Sequence, residues 1–376
     1  MTDPIAEKMR QGVNARVFPG AVLLVSHQGQ TVHHAAYGYA CLIPEREPAT
    51  VDTTYDLASL TKPIATATAG ALLVADGRLG LDDPLERYVP ELTQDALRRA
   101  TIRHLLNHTS GLPAWRPFYE QIVPDGQTLR DRPLAERRAA LYDAIHREPL
   151  IGPVGSRCAY SDLGFILLGE VLERIVKREW SAFIHGEVLS RLGANDLFYM
   201  SERGPTGGAS VPARQFAATE QDDWRGRIIR GEVHDEHAAV MGGVSSHAGL
   251  FGSALSVAQA VRPWLAAVRG DASPIAASWA KEFVRKQGFD PFGSWALGWD
   301  TPSSGPSGTP SSSGQFFAPT AFGHLGYAGT SVWVDPEREF TVVLLTNRVH
   351  PTRNNDKIRA FRPALHDVIF QYVMGK

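Results

Sequence analysis

Strand-forming segments sit at the two ends of this chain, with few signals between them, and that separation constrains the fold more than any other feature. Near the N-terminus, "GAVLLVSHQGQTVHHAAYGYA" (20–40) is two apolar, β-branched runs around a polar turn at Gln28-Gly29-Gln30. At the far end, "GTSVWVDPEREFTVVLLTN" (329–347) repeats the pattern around Pro336-Glu337-Arg338. Residues 4–14 and 355–373 carry helical periodicity outside these strand pairs. The simplest arrangement is an α/β fold in which both ends share one antiparallel sheet flanked by helices. Residues 101–235 have helical periodicity broken by loops, so they read as a mostly helical subdomain inserted into an α/β unit of 1–100 and 236–376. The stretch 302–314, "PSSGPSGTPSSSG", is too poor in apolar residues to pack and reads as a mobile loop. The chain shows no internal repeats.

Function classes are narrowed by charge. The 376 residues include 38 basic and 40 acidic side chains, a net charge of −2, which gives no wide field for nucleic acid or an anionic membrane. A small-molecule substrate is the expected partner. Two cysteines, Cys41 and Cys158, are too few for a disulfide framework and fit reduced thiols. The N-terminus has acids among its first residues and no apolar run of signal length, and no later stretch reads as long enough to span a bilayer. A cytoplasmic location is therefore expected.

Chemistry concentrates in "YDLASLTKPIATATAGALL" (55–73). Pro63 lacks an N–H and is tolerated only in the first turn, so this helix begins no earlier than about Ser59. Unpaired N–H groups there and the positive end of the helix dipole favour negative charge developing near the Ser59 Oγ. Lys62, three residues on, projects on the same face. If burial lowers its pKa, it becomes the proton acceptor that a serine nucleophile needs. After Lys62 the helix is largely apolar, hence buried, and a buried helix start carrying a lysine calls for a reason. An N-cap serine beside a surface lysine is the plainer alternative. In "CAYSDLGFILLGEVLERIV", Tyr160 precedes an amphipathic helix, and its phenol could share a proton with Ser59 and Lys62. Ser161 and Asp162 suit capping of that helix. In "FGHLGYAGTSVWVDPE", glycines 323, 326 and 329 around His324 allow close approach of another backbone or of a substrate amide.

Taken together, Ser59-Leu60-Thr61-Lys62, Tyr160-Ser161-Asp162 and His324-Leu325-Gly326 resemble, in that order, the S-x-x-K, Y-x-N and K-T-G or H-x-G motifs of the β-lactamase and penicillin-binding-protein superfamily, in its class C-like branch. The likeness extends through "IRHLLNHTSGLP" (102–113), "MGGVSSHAGLF" (241–251) and "LLTNRVHP" (344–351). It implies one catalytic domain over 1–376, with Ser59 as nucleophile, Lys62 and Tyr160 as base and acid, and no cofactor or metal. The oxyanion hole would come from the Ser59 and Tyr327 N–H groups, such donors being worth ~3 kcal/mol each. An acyl-enzyme would form and be resolved by water. Asp162, where the family often has asparagine, could pair with Lys62 and hold it charged, shifting proton transfer towards Tyr160. His324, in place of the lysine of true β-lactamases, is mostly uncharged at neutral pH and argues against efficient penicillin hydrolysis. Asp162, His324, Gly326 and Arg353 are the substrate-binding candidates, Arg353 as a bidentate grip on a carboxylate. Segments 231–254 and 344–355 look like the branch that includes N-acetylmuramyl-L-alanine amidases and esterases. An ester, peptide or muropeptide is then the substrate.

Three alternatives stand beside this reading. One is a weak β-lactamase. A second is a non-catalytic penicillin- or peptide-binding receptor module, against which the complete serine, lysine and tyrosine set speaks. A metal hydrolase is suggested by His104, His108 and "HDEH" (234–237), but no third ligand is tied to the first pair by spacing. The sequence is silent on oligomeric state.

Overall fold

Alternation along the strands decides which way each faces, and in the computed structural model both ends of the chain meet in one sheet. The structure describes residues 3–124, 126–207, 215–288, 293–303 and 311–375. The sheet comprises β1 (Gly20–His27), β2 (Gln30–Cys41), β3 (Glu47–Pro48), β4 (Phe322–Leu325), β5 (Ser331–Asp335) and β6 (Phe340–Thr346), in the order β4-β5-β6-β1-β2-β3. Every pairing is antiparallel. The join is β1 against β6, running from Ala21 opposite Thr346 to His27 opposite Phe340. Gln28 and Gly29, both at positive φ, form the two-residue β1–β2 turn, the backbone hand that matches strand twist.

Period two sorts the core into two layers. Leu23, Val25, Trp333, Val342 and Leu344 face α1 (Pro4–Asn14) and the C-terminal helix α5 (Ile358–Met374). Val22, Leu24, Val332, Val334, Val343 and Leu345 face the other way, into the larger core around α2 (Thr68–Ala75), α3 (Asp162–Val176) and α4 (Ala254–Arg269). Both flanking helices fall close to where periodicity placed them.

Several local expectations change. The helical run from Ala58 to Ala75 is a 3₁₀ turn, a π-helical stretch over Lys62–Ala67 and then α2. It is long and apolar enough to cross a membrane, contrary to the sequence reading, but 89% of it is buried inside the protein. The described residues of 101–235 hold helices at Ile102–Leu106, Leu134–Arg147 and α3, yet also four short strands. Two of these, Phe198–Ser201 and Gly204–Pro205, join Tyr55–Asp56 and Leu250–Gly252 in a second sheet. Of the 302–314 stretch, residues 304–310 lie outside the described residues. Among the described residues, Cys41 and Cys158 form no disulfide.

Candidate active site

The second sheet sets the serine in place. Tyr55 and Asp56 pair with Gly252 and Phe251, and Leu57 N–H donates to the Leu250 carbonyl at 2.9 Å. The chain then turns sharply, with Ala58 at φ 48°, a left-handed conformation costly for a residue with a Cβ. Buried Asp56 holds that turn, its Oδ1 accepting from Ala58 N at 2.8 Å and its Oδ2 from His234 N at 2.7 Å. Ser59 follows, facing a cavity of about 610 Å³ also lined by Tyr160, Asp162, His324, Gly326 and Tyr327.

Two donors converge on the Ser59 Oγ: Lys62 Nζ at 2.9 Å and Tyr160 OH at 2.8 Å. Lys62 is fully buried. Its ammonium also donates to the His247 carbonyl at 3.0 Å and lies 2.6 Å from Asp162 Oδ1. Burial pushes this lysine down, but the Asp162 charge and then Tyr160 outweigh it and hold the ammonium above its ordinary value. The expectation of a lowered lysine pKa is thus reversed by the carboxylate two positions after the tyrosine, the pairing that the departure from asparagine suggested. Burial pushes the Tyr160 phenol up to about 12, against the opposing pull of the Lys62 charge.

Tyr160 is fixed from two sides. The loop after Ile102–Leu106 places His108 at φ 61°, where its carbonyl accepts from Ala159 N at 2.8 Å and its Nδ1 from Ser161 N at 3.1 Å. The His108 and Trp295 rings pack against Tyr160 at centroid distances of 4.6 and 5.1 Å. Ser161 caps α3, accepting from Gly164 N and donating to the Pro113 carbonyl, so the capping expected of it is present.

On the opposite wall, β4 is the edge strand, and Asp300 pairs with it only at Gly323. A Cβ on Gly326 would lie 2.0 Å from Thr330 Oγ1 and 2.8 Å from the Leu57 carbonyl, so only glycine lets the strand approach the serine segment. His324 Nδ1 bonds the Leu325 carbonyl at 2.8 Å. Burial and the nearby Lys62 charge drive its pKa to about 3, so it stands as a neutral imidazole. Arg348 holds the Tyr327 carbonyl and stacks over its ring at 4.6 Å.

Arg353 lines the cavity, but its guanidinium is already engaged by Glu220 at 2.5 Å and Glu236 at 2.7 Å. The expected grip on a substrate carboxylate has to compete with both. His104 Nδ1 caps Thr101 N, and His108 is spent on Ser161, so the i, i+4 pair serves the backbone. Asp56, Trp295 and the His247 carbonyl were given no role by sequence, and His108 was weighed only as a metal ligand. Asp56, His108 and His247 lie within stretches singled out above, whereas nothing local marks Trp295.

The family model described as Beta-lactamase matches residues 5–365. The N-acetylmuramyl-L-alanine amidase of Bacillus subtilis (strain 168) is 31% identical over 360 residues, covering 89% of this chain and 78% of that protein. Among solved structures, the octameric penicillin-binding protein homologue from Pyrococcus abyssi superposes with TM-score 0.72 at 22% identity, over 99% of this chain and 77% of that one. EstCE1, a hydrolase with promiscuous acyltransferase activity, gives TM-score 0.72 at 21% identity, over 98% and 97%. The last two establish likeness of fold.

Proposed function

This chain belongs to the beta-lactamase family and is a serine hydrolase of ester or amide bonds, and from that premise we propose that Ser59 is the nucleophile of an acyl-enzyme cycle in which Tyr160 moves the proton and Lys62 stays charged. The observation that carries this reading is the convergence of Lys62 Nζ and Tyr160 OH on one serine oxygen at the cavity wall.

Because Lys62 is held as an ammonium, it supplies charge and not a lone pair. The acceptor for the Ser59 proton is then the Tyr160 oxygen in its phenolate form, stabilised by that ammonium. With a phenol pKa near 12, reaching the phenolate at pH 8 costs about 5 kcal/mol, a modest part of an enzymatic barrier. Oγ attacks the substrate carbonyl, and the developing oxyanion is met by the N–H groups of Ser59 and Tyr327. The tyrosine then passes its proton to the departing alcohol or amine, and water repeats the sequence to release the acid.

For substrate we propose a small ester or a peptide or muropeptide amide. The neutral His324 supports this over a β-lactam, since it offers no cation to a drug carboxylate. Wild type and Ser59→Ala are to be compared on p-nitrophenyl acetate and a muramyl peptide side by side. Turnover of either by wild type and of neither by the variant is expected. Equal turnover by Ser59→Ala would end the proposal, and turnover of only one substrate assigns ester or amide preference.

A further inference from the structure

Behind the lysine, outside the reacting groups, three potential ligands converge from "HDEH" and "SSHAG". Donor atoms of Asp235, His237 and His247 lie within 4.8 Å of one another. His237 is fully buried, and neither of its ring nitrogens has a hydrogen-bond partner. Leaving two buried imidazole nitrogens unpaired is costly, and a native protein accepts it for a reason. The ring is walled by Trp115, Phe118 and Tyr119, none of which supplies it an acceptor.

His247 converges on the same point. Its Nδ1 lies 2.8 Å from Ser245 Oγ, and in the tautomer where the serine directs its own proton at Met241 Sδ, 3.2 Å away, the serine oxygen accepts from Nδ1–H. Its Nε2 faces Asp235 Oδ1 at 2.8 Å. In that tautomer Nε2, lone pair outward against the Asp235 carboxylate, is placed to ligate a cation. We propose that Asp235, His237 and His247 form a binding site for one Zn²⁺ ion or a like first-row divalent cation.

Two imidazoles and one carboxylate are a zinc donor set, and Ser245 can accept from Nδ1–H in the tautomer that leaves Nε2 free to ligate. Tetrahedral bonds of about 2.1 Å put ligand atoms about 3.4 Å apart, within reach of side-chain rotation here. The ion takes the place of the proton between Asp235 and His247, which is released on binding. Asp235 is the member that lines the cavity, giving the ion its route in and a coordination position facing that space.

The test uses the full chain, stripped with chelator and dialysed against Zn²⁺ or Co²⁺. Wild type should retain one equivalent, the Co²⁺ form should show the intense visible bands of tetrahedral coordination, and His237→Asn should retain none. Metal-free His237→Asn should keep p-nitrophenyl acetate turnover within about twofold of metal-free wild type. Zinc-edge X-ray absorption of loaded wild type, which needs no variant, should show two imidazoles and an oxygen ligand. No retained metal, equal retention by His237→Asn, or an absorption spectrum with fewer than two imidazoles would each overturn the site.

Discussion

Lys62 touches three partners and has no exposed surface, and its surroundings decide which proton moves. Asp162 and the Ser59 oxygen both favour its charged form, so the residue to test as base is Tyr160. Tyr160→Phe keeps the ring packing against His108 and Trp295 and removes only the hydroxyl. It should lower kcat/KM about 10²- to 10⁴-fold with KM little changed, measured in steady state on an acetate ester. The sign of the pH dependence follows from the raised phenol: phenolate is scarce at neutrality and grows tenfold per unit. Log kcat/KM should therefore rise with a slope of about one between roughly pH 6 and pH 9. A plateau reached by pH 7 would indicate a base with a depressed pKa. Asp162→Asn removes the larger of the two influences that raise Lys62 and leaves burial, which lowers it, opposed only by Tyr160. The rising limb should then move to lower pH as a neutral amine takes over, and an unchanged profile would count against the ion pair.

Elements, more than individual side chains, set the distances in the site. The edge strand β4 comes close enough only because residue 326 has no Cβ. Gly326→Ala should leave the far-ultraviolet dichroism intact yet lower kcat/KM at least about 10²-fold, because the Leu57 carbonyl belongs to the serine's own segment and displaces Ser59 when it yields. Asp56 is the second such device, one carboxylate joining the serine turn to the 234 segment. Asp56→Asn can accept only one of the two N–H groups, and should cost about 1–3 kcal/mol in urea unfolding together with a loss of kcat. The three motif residues were legible because their spacing places a hydroxyl, an amine and a phenol at element starts. Asp56 was not, since its role arises from pairing with residues nearly two hundred positions away, and Trp295 comes to Tyr160 only through tertiary packing. Lys62 was placed correctly, but its charge state stayed open in the sequence between lowering by burial and charging by Asp162, two influences of opposite sign between which the 2.6 Å contact decides.

Over the whole molecule, the central pairing joins residues more than three hundred positions apart. That much followed from apolar alternation at the two ends, which also gave the flanking helices to within a few residues. The short strands at 198–205 and 250–252 were hidden, being too brief for any periodicity, although they carry the site's second sheet. Since β6 lies between β5 and β1, the sheet closes only when the last strand is present. A chain ending at residue 339 should fail to fold, showing no cooperative thermal transition, where an independent N-terminal unit would keep one. Within that sheet Trp333 is fully buried, and Trp333→Ala should cost about 3–5 kcal/mol by denaturant unfolding.

All of this converges on one oxygen atom, and covalent trapping interrogates it directly. Incubation with a fluorophosphonate, followed by intact-mass measurement and peptide mapping, should give a single adduct on the peptide containing Ser59, much faster at pH 9 than at pH 6 and absent in Tyr160→Phe over the same interval. Labelling at another residue, or equally rapid labelling of Ser59 without the tyrosine hydroxyl, would contradict the account.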